Sequence, residues 1–249
     1  MENIVLITGA AGGLGSALAH RLHRAGWFLA LVSRQRERLG ELSRLDRTFT
    51  LEADMSTPDG ASSAVEEAAA HFGRAPNALA HCAGTTLIAP LHRTAAEQYQ
   101  DCLRANLDSA FYTLGAFVKA RMKTDQASAA VLVSSVVARI GVVNHEAISV
   151  AKAGIEALTR SAAATYGGRG IRVNAIAPGL MRTPATERLF AAPQAEKSIA
   201  AQYPLGRFGT PEEGAAAMAW LLSEEAGWIT GQVLPVDGGF TAVRPMLRG

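Results

Sequence analysis

The segment HEAISVAKAG, residues 145–154, carries side chains suited to proton transfer. Lys152 holds an ammonium group and His145 an imidazole, and either can donate a proton to an oxygen that gains negative charge. In a helix, position 148 lies on the same face as Lys152, because residues four apart are neighbours. An isoleucine stands at position 148 and has no proton to give. Acid chemistry at this place therefore needs a donor other than residue 148.

A second segment suited to a functional role is TGAAGGLG, residues 8–15, which begins at the last residue of the apolar run IVLIT. Gly9 permits a tight turn, Gly13 lets the backbone approach a pyrophosphate, and Gly15 allows a helix to pack close to the preceding strand. The N-terminus of that helix then faces the anion. The position of the motif, at the first strand–helix junction, predicts a dinucleotide-binding turn rather than an ordinary glycine-rich loop.

The elements that must position these groups are short apolar strands alternating with longer alanine-rich stretches of helical spacing. This alternation implies parallel crossovers, and strands that are apolar on both faces imply a sheet covered by helices on each side. We therefore predict an α/β fold, a Rossmann-like doubly wound parallel sheet of about seven strands with helices on both faces. The predicted strands are residues 4–8, 28–32, 48–52, 78–81, 130–135, 171–177 and 233–237.

The chain has 249 residues, of which 49% are hydrophobic and 18% charged, and no linker-like stretch divides it. We expect residues 1–249 to form a single dinucleotide-binding domain. An irregular, proline-containing segment near 180–209 is predicted to be a substrate lid, because long irregular segments in compact domains are often binding loops. The apolar side chains of this lid, which indicate either an apolar ligand or simple packing, are Leu189, Phe190, Ile199 and Tyr203.

The formal net charge is +2 and the basic residues are scattered, so the sequence shows no footprint for nucleic acid. No run of about 18 apolar residues occurs, so we expect no membrane span. Cys82 and Cys102 suit a reducing cytosol better than a disulfide framework, and no cluster has metal-ligand spacing. We expect a cytoplasmic protein without a metal that acts on a small molecule.

The sequence resembles the classical short-chain dehydrogenase/reductase family, of the kind that includes the 3-oxoacyl-carrier-protein reductases. The resemblance rests on segments that occur in the family's order along nearly the whole length of the chain. The resemblance implies an NAD(P)-dependent oxidoreductase acting on a ketone or alcohol. It also implies a homotetramer or homodimer that pairs helices near 95–123 and 145–167. The matching segments are TGAAGGLG at 8–15, ADMS at 53–56, HCAG at 81–84, RANLDSAF at 104–111, VLVSS at 131–135, SVAKAG at 149–154, IRVNAIAPGLMRTP at 171–184, PLGRFGTPEE at 204–213 and ITGQVLPVDGG at 229–239.

The resemblance also assigns the cofactor site by position. The second predicted strand ends at Ser33, followed by Arg34, where an NAD-preferring relative usually has an acidic residue. A hydroxyl and a guanidinium can bind a 2′-phosphate, so we expect NADP as the cofactor and NAD as the alternative. The other residues expected to contact the cofactor are Gly9, Gly13, Leu14 and Gly15 at the pyrophosphate, Asp54 at the adenine, Ala83 and Gly84 along the cofactor, Lys152 at the nicotinamide ribose, and Pro178, Gly179 and Thr183 beside the nicotinamide amide.

The catalytic positions of the family are matched except for one. In the family a tyrosine four residues before the lysine gives the proton, a serine binds the substrate oxygen, and an asparagine fixes a water relay. Asn106, Ser135 and Lys152 match the asparagine, the serine and the lysine, but Ile148 stands at the tyrosine position. General acid catalysis contributes about 10²–10⁴-fold, or roughly 3–5 kcal/mol of barrier, and isoleucine supplies none of it.

Four interpretations of this departure stay open. His145, three residues before Ile148, replaces the acid, unless it is a structural or solvent-facing histidine. Lys152 donates through a water or the ribose hydroxyl while Ser135 holds the substrate. The reaction needs no strong acid, as in hydride addition to a conjugated acceptor. In the fourth interpretation the chain is a catalytically silent dinucleotide-binding subunit or sensor, or catalyses a non-redox step.

A second departure lies in HCAG, where His81 replaces the asparagine that is usual in the family. The histidine is either a tolerated substitution near the adenine end or a change that alters the pocket. The sequence leaves both interpretations open.

Overall fold

The computed structural model describes residues 2–124, 126–190 and 193–244. Seven strands in these ranges form one parallel sheet in the order β3-β2-β1-β4-β5-β6-β7. The strands are β1 Ile4–Thr8, β2 Phe28–Ser33, β3 Thr48–Glu52, β4 Ala78–His81, β5 Ser128–Val133, β6 Ile171–Pro178 and β7 Val233–Val236. The α-helices are α1 Gly13–Arg24, α2 Pro58–Phe72, α3 Ala96–Leu103, α4 Ser109–Arg121, α5 Glu146–Tyr166, α6 Pro193–Ala200 and α7 Pro211–Leu222.

Alternate side chains of the central strands enter two separate apolar layers. Leu6 and Leu132 pack on one side of the sheet against α2, α4 and α5. Ile7 and Val131 pack on the other side against α1 and α7. Because parallel crossovers place helices on both faces, nearly every position of β1, β2 and β4 is buried. The predicted fold class is confirmed, with helices on both faces of a seven-stranded sheet.

The predicted strands agree with the structure to within two residues. The largest difference is at β5, which begins two residues before the predicted start and ends at Val133. Ser128 and Ala129 are weak strand formers, but their pairing with Ile171 and Arg172 of β6 overrides that weakness. Ser135 therefore lies just beyond the strand end, where parallel α/β sheets place their ligands.

The predicted start of α7 is confirmed in detail. Thr210 caps the helix, since its hydroxyl accepts a hydrogen bond from the Glu213 backbone N–H. The Glu213 carboxylate accepts the Thr210 backbone N–H in return, at 2.9 Å. Pro211 occupies the first helical turn, where its missing N–H costs nothing. This cap fixes the point at which the chain leaves the lid and returns to the sheet.

A π-helical turn, residues 104–108, joins α3 to α4. Such turns insert one extra residue into a helix and are frequent at functional sites. Asn106 lies in the turn and is fully buried. The turn therefore aims Asn106 at the interior instead of continuing the regular helical register.

The lid segment is more regular than predicted. It contains a 3-10 turn, Glu187–Phe190, and the helix α6, so the prediction of an irregular segment near 180–209 is wrong over these residues. Phe190 packs edge-on against Phe208 with ring centroids 4.6 Å apart, and Tyr203 stacks on Phe240 at 4.7 Å. The aromatic side chains thus pack against each other, which explains their presence without an apolar ligand.

The prediction of one domain over residues 1–249 stays a prediction, since Met1 and residues 245–249 lie outside the described ranges. Among the helices that the structure describes, none is long and apolar enough to cross a membrane.

Candidate active site

A cleft of about 710 Å³ opens at the carboxyl ends of β1, β2, β3 and β4. It lies where the sheet order reverses between β1 and β4, the switch point at which doubly wound sheets bind ligands. Its volume is within the usual range for cofactor sites. The predicted cofactor residues that line it are Gly9, Ser33, Arg34, Asp54, Ala83 and Gly84.

The glycine-rich turn is shaped for close backbone approach. Gly9 has a φ of +62°, and a Cβ there would lie 2.7 Å from the backbone nitrogen of Ala83. A Cβ on Gly13 would lie 2.9 Å from the methyl carbon of Thr183, and a Cβ on Gly15 would collide with the carbonyl oxygen of Gly9. Because the start of α1 follows this bare turn, its free N–H groups suit a pyrophosphate, and the residues present fit a dinucleotide.

Two basic side chains line the end of the cleft where the adenosine of the cofactor is expected to bind. Arg34 and Arg38 both line it, and neither guanidinium forms a hydrogen bond or an ion pair with the described residues. Arg38 was not predicted from the sequence, because its direction into the cleft depends on the 3-10 segment that begins at Arg36. The carboxyl of Asp54 accepts hydrogen bonds from the backbone and side chain of Ser56, which with the charge of Arg34 lower its pKa.

The hydroxyl of Ser33 is hydrogen-bonded within its own turn of the chain. It lines the cleft, but it donates to the Gln35 carbonyl at 2.8 Å and accepts the Gln35 backbone N–H at 3.2 Å. Its proton is therefore already used within a local turn. Arg34 and Arg38 supply the charged donors at this end of the cleft.

Lys152 lies on α5 and is 8% exposed. Its ammonium group donates to the Val133 carbonyl at the end of β5, at 2.9 Å. Nζ is also 3.6 Å from the point where a Cβ on Gly84 would stand, so the charge lies beside the wall of the cleft. Burial lowers the pKa of Lys152 to about 8. The group can therefore exchange a proton near neutral pH.

Asn106 joins the π-turn to the cleft wall. Its amide nitrogen donates to the Cys102 carbonyl at 2.9 Å, and its oxygen accepts the Thr85 backbone N–H at 3.3 Å. A Cβ on Gly84 would lie 2.6 Å from the same oxygen. Only glycine at position 84 leaves room for the asparagine, which places Asn106 and Lys152 next to the same residue.

Two adjacent serines have different environments. Ser135 is half-buried, and its hydroxyl accepts the Val137 N–H at 3.4 Å. Its hydroxyl proton has no hydrogen-bond acceptor among the described residues. Ser134 is buried and contacts both the Lys152 carbonyl and the Glu156 carboxylate at 3.2 Å. Ser134 therefore supports the helix behind the lysine, and Ser135 keeps a donor for a ligand.

Ile148 occupies a filled apolar site. It is 4% exposed and belongs to a small cluster with Cys102 and Ala151, against which Leu87 and Val137 pack. Leu87 also lines the cleft. The side chain at position 148 thus supports an apolar wall rather than facing a vacant polar position.

His145 is the residue immediately before α5, and its placement gives no sign of a replacement acid. Its Nδ1 contacts the Val143 carbonyl at 2.7 Å, so this nitrogen carries the proton. No hydrogen bond or ion pair of the described residues joins it to Ser135 or Lys152. Two tyrosines of the chain, Tyr112 and Tyr166, are also located away from Ile148 in the fold: both are partly buried against the core layer of α2, α4 and α5.

The predicted nicotinamide loop lies at the end of β6. Pro178 is the last residue of β6, and Gly179 N–H bonds the Val236 carbonyl at 3.0 Å. The Leu180 N–H donates to the Tyr203 hydroxyl at 2.8 Å. Thr183 touches the glycine-rich turn at Gly13, which closes the loop over the start of α1.

The side chain of Leu14 faces away from the cleft. Its Cδ1 lies 2.9 Å from the point where a Cβ on Gly214 would stand, so it packs between α1 and α7. The remaining predicted residues that do not themselves line the main cleft are Gly13, Gly15, Asn106, Ser135, His145, Lys152, Pro178, Gly179 and Thr183.

A doubly wound parallel sheet with a glycine-rich first turn and a cleft at its switch point defines a dinucleotide-binding fold. Residues 9–241 match the enoyl-(acyl carrier protein) reductase family model. A cis-4-hydroxycyclohexanecarboxylate dehydrogenase of Sinomonas cyclohexanicum is 35% identical, over 97% of this chain and 98% of the relative. A protein of Bacillus subtilis named "Probable 2,4-dienoyl-CoA reductase" is 36% identical, over 96% of both chains.

Among solved structures, an oxidoreductase of the short-chain dehydrogenase/reductase family from Burkholderia thailandensis is similar with a TM-score of 0.88. It is 32% identical, over 98% of this chain and 94% of that chain. This chain belongs to the short-chain dehydrogenase/reductase family. It is an oxidoreductase with a nicotinamide cofactor, acting on substrates of the alcohol or ketone type.

Proposed function

We propose that this chain is an NADP(H)-dependent reductase of a ketone, or dehydrogenase of the matching alcohol, in which Lys152 takes the place of the missing tyrosine as proton source. One observation carries the proposal. The Lys152 ammonium is buried beside Gly84 and Asn106, whereas position 148 is packed with apolar side chains. A buried ammonium with a pKa lowered to about 8 is a competent acid near neutral pH.

The chain's own residues divide the work as follows. Ser135 donates its free hydroxyl proton as a hydrogen bond to the substrate oxygen, and Asn106 holds the cleft wall at Thr85. When bound, the reduced nicotinamide supplies a hydride to the carbonyl carbon, and the C=O electron pair moves onto the oxygen. Lys152, which would also hold the nicotinamide ribose, would give this oxygen a proton, directly or through a bound water. The neutral amine that results regains its proton from solvent.

The preference for NADP rests on Arg34 and Arg38. Both line the adenosine end of the cleft with uncommitted guanidinium groups, and a guanidinium binds phosphate through paired, charge-assisted hydrogen bonds. Titration of the protein with NADPH and NADH tests this. We expect tighter binding of NADPH, and loss of that preference in Arg34→Ala and Arg38→Ala. Equal or tighter binding of NADH would overturn the preference.

Turnover tests the function itself. The protein is mixed with NADPH and a panel of activated ketones, and the loss of nicotinamide absorbance is followed in single turnover. We expect hydride transfer by the wild type, and Lys152→Met to lose most of it. If the wild type binds NADPH but consumes none with any acceptor, the chain is the catalytically silent subunit of the alternative interpretation. His145→Ala in the same assay tests the histidine, and we expect it to turn over like the wild type.

A second candidate is hydride addition to a conjugated double bond. It is supported by the apolar wall at Ile148 and Leu87, and by the dienoyl-CoA reductase named among the relatives. In that reaction the hydride goes to the distal alkene carbon, and the electron pair moves to the carbonyl oxygen as an enolate. Ser135 and Lys152 stabilise the enolate oxygen, and a carbon of the enolate then takes a proton from solvent. Enones and saturated ketones in the same panel distinguish the two reactions.

We also propose a homo-oligomer that pairs α4 and α5. Phe111 on α4 is 59% exposed and Val150 on α5 is 50% exposed. Large apolar side chains with this exposure on neighbouring helices support an interface between copies of the chain.

A further inference from the structure

His81 is a buried titratable residue that the proposed chemistry leaves unused. It ends β4 and is 1% exposed. Its ring lies between two hydroxyls: Nδ1 is 2.9 Å from the Thr8 hydroxyl oxygen and Nε2 is 3.1 Å from that of Ser109. The ring therefore bridges β1 and the first turn of α4.

The surrounding acceptors decide where each proton lies. Ser109 donates its hydroxyl proton to the Ala105 carbonyl at 2.8 Å, with the Asn106 carbonyl at 3.4 Å as the alternative. Both are carbonyl oxygens and can only accept, so Ser109 must accept a proton from Nε2 of His81. Nδ1 of the neutral ring then accepts the Thr8 hydroxyl proton. The Thr8 oxygen in turn accepts the Ala83 backbone N–H, at 3.3 Å.

The ring is held in its neutral form by its surroundings. Burial, together with a smaller effect of the nearby charge of Lys152, lowers the pKa of His81 to about 3. A protonated ring would also place two donors against Thr8 and Ser109, and Thr8 would lose the acceptor for its proton. A single tautomer, with the proton on Nε2, satisfies every group in the chain.

This hydrogen-bond chain connects two parts of the site. One end is the backbone of Ala83, which lines the cleft. The other end is the Ala105 carbonyl, within the π-turn that carries Asn106. Asn106 itself returns to the cleft through the Thr85 N–H. The two ends thus close a loop around the wall of the cleft.

We propose that His81 is a positioning residue: through its neutral Nε2–H tautomer and Ser109, it sets the place of the π-turn, and so of Asn106, relative to the cleft wall at Ala83. The consequence for hydride transfer rests on the proposed function, whereas the hydrogen-bond chain does not. The asparagine usual at this position in the family has a shorter side chain, whose polar atoms lie nearer to Cβ than Nε2 of the imidazole does. The histidine therefore alters the support of the site rather than its lining.

The test compares variants that interrupt the hydrogen-bond chain through His81 with a variant that removes an unrelated buried hydrogen bond. His81→Ala and Ser109→Ala each cut it. Thr159→Val is the matched control, because Thr159 is fully buried on α5 and its hydroxyl bonds only the Ile155 carbonyl within its own helix. Nitrogen-15 NMR of the His81 ring reports the tautomer, and the side-chain amide signal of Asn106 reports its position without any turnover.

We expect a ring with the proton on Nε2 that does not titrate between pH 5 and 9. We expect His81→Ala and Ser109→Ala to move the Asn106 amide signal, and Thr159→Val to leave it in place. Single-turnover hydride transfer should fall about 10- to 100-fold in His81→Ala and in Ser109→Ala. The dinucleotide Kd should stay nearly constant in His81→Ala, the variant used for this comparison because Ser109 itself lines the cleft. The double variant should be no slower than either single one, because both break the same chain.

Several results would overturn the inference. A proton on Nδ1, or an unmoved Asn106 amide in His81→Ala, contradicts the hydrogen-bond chain. A lower Tm with an unchanged hydride-transfer rate makes His81 a purely structural residue. Failure of the wild type to bind or consume any nicotinamide dinucleotide refutes the proposed function instead. The NMR measurements on the same protein still show whether the hydrogen-bond chain through His81 exists.

Discussion

An isoleucine at position 148 changes two properties of the site at once. It removes a phenolic proton donor, and its side chain completes an apolar cluster with Cys102 and Ala151. The second effect means that the position is filled, so a water molecule has neither room nor polar partners there. Proton transfer has then to rely on groups already anchored elsewhere, and Lys152 is anchored by the Val133 carbonyl.

Restoring the phenol tests whether proton supply limits the reaction. Ile148→Tyr should raise the single-turnover rate with a saturated ketone, but by less than the roughly 10²–10⁴-fold that a placed general acid usually contributes, because Lys152 already supplies a proton. The larger ring should also lower the free energy of unfolding by about 1–3 kcal/mol, because the cluster is full. Ile148→Phe is the control, with the same ring and no hydroxyl. Equal rates in the two variants would show that the proton is not limiting.

The pH dependence tests Lys152 as the acid. Its pKa is lowered to about 8, mainly by burial, and the acid is the ammonium form. As pH rises through about 8 the ammonium fraction falls, so the single-turnover rate of ketone reduction should fall about tenfold per pH unit above that point. Lys152→Arg, which stays charged, should lack the inflection. A wild-type rate that is constant up to pH 10 would contradict the assignment.

At the scale of elements, the junctions that hold the site are stabilised locally. The capping box of Thr210 and Glu213 begins α7, and Arg207 forms an ion pair with the same carboxylate at 2.6 Å. These hydrogen bonds lower the pKa of Glu213 to about 2. The lid therefore returns to the sheet at a defined residue, which keeps Gly214 in place against Leu14 of α1.

Removal of this cap should cost stability without affecting chemistry. Thr210→Ala should lower the free energy of unfolding by about 1 kcal/mol, and the Tm by roughly 2–4 °C for a chain of this size. Thr210→Ser keeps a capping hydroxyl and should stay close to the wild type. Urea unfolding followed by circular dichroism measures both. Equal losses in the alanine and serine variants would show that the hydroxyl does not act as the cap.

The strands could be predicted closely because their signal is local: a buried parallel strand is an unbroken apolar run. The glycine-rich turn and the cap of α7 are local signals as well. The π-turn at Asn106 left no such signal, since α3 and α4 read as one continuous helical stretch and the extra residue depends on packing. The hydrogen bonds and directions of individual side chains could not be predicted either. Ser33 uses its proton on Gln35, and the direction of Arg38 into the cleft follows from a 3-10 segment.

At the scale of the whole molecule, both faces of the sheet expose large apolar side chains. Phe111 on α4 and Val150 on α5 are exposed on one face, and Trp220 on α7 is 39% exposed on the other, where α1 also presents Arg21 to solvent. Helix α5 also carries Lys152, and α4 begins at the end of the π-turn that holds Asn106. An interface on α4 and α5 would therefore stabilise the two elements that position Asn106 and Lys152.

A charge placed on that face should disrupt the assembly. Phe111→Glu is expected to shift the protein to a smaller species, since burying an unpaired carboxylate at an apolar interface is strongly unfavourable. Multi-angle light scattering after size exclusion measures the mass, and circular dichroism confirms that the fold is intact. Arg21→Glu, on α1 at the opposite face of the sheet, is the control and should leave the mass unchanged. A wild type that elutes as a monomer, or a Phe111→Glu variant of unchanged mass, would place the assembly surface elsewhere or remove it. Because α5 positions Lys152, a smaller species should also show slower hydride transfer than the wild type in the same single-turnover assay.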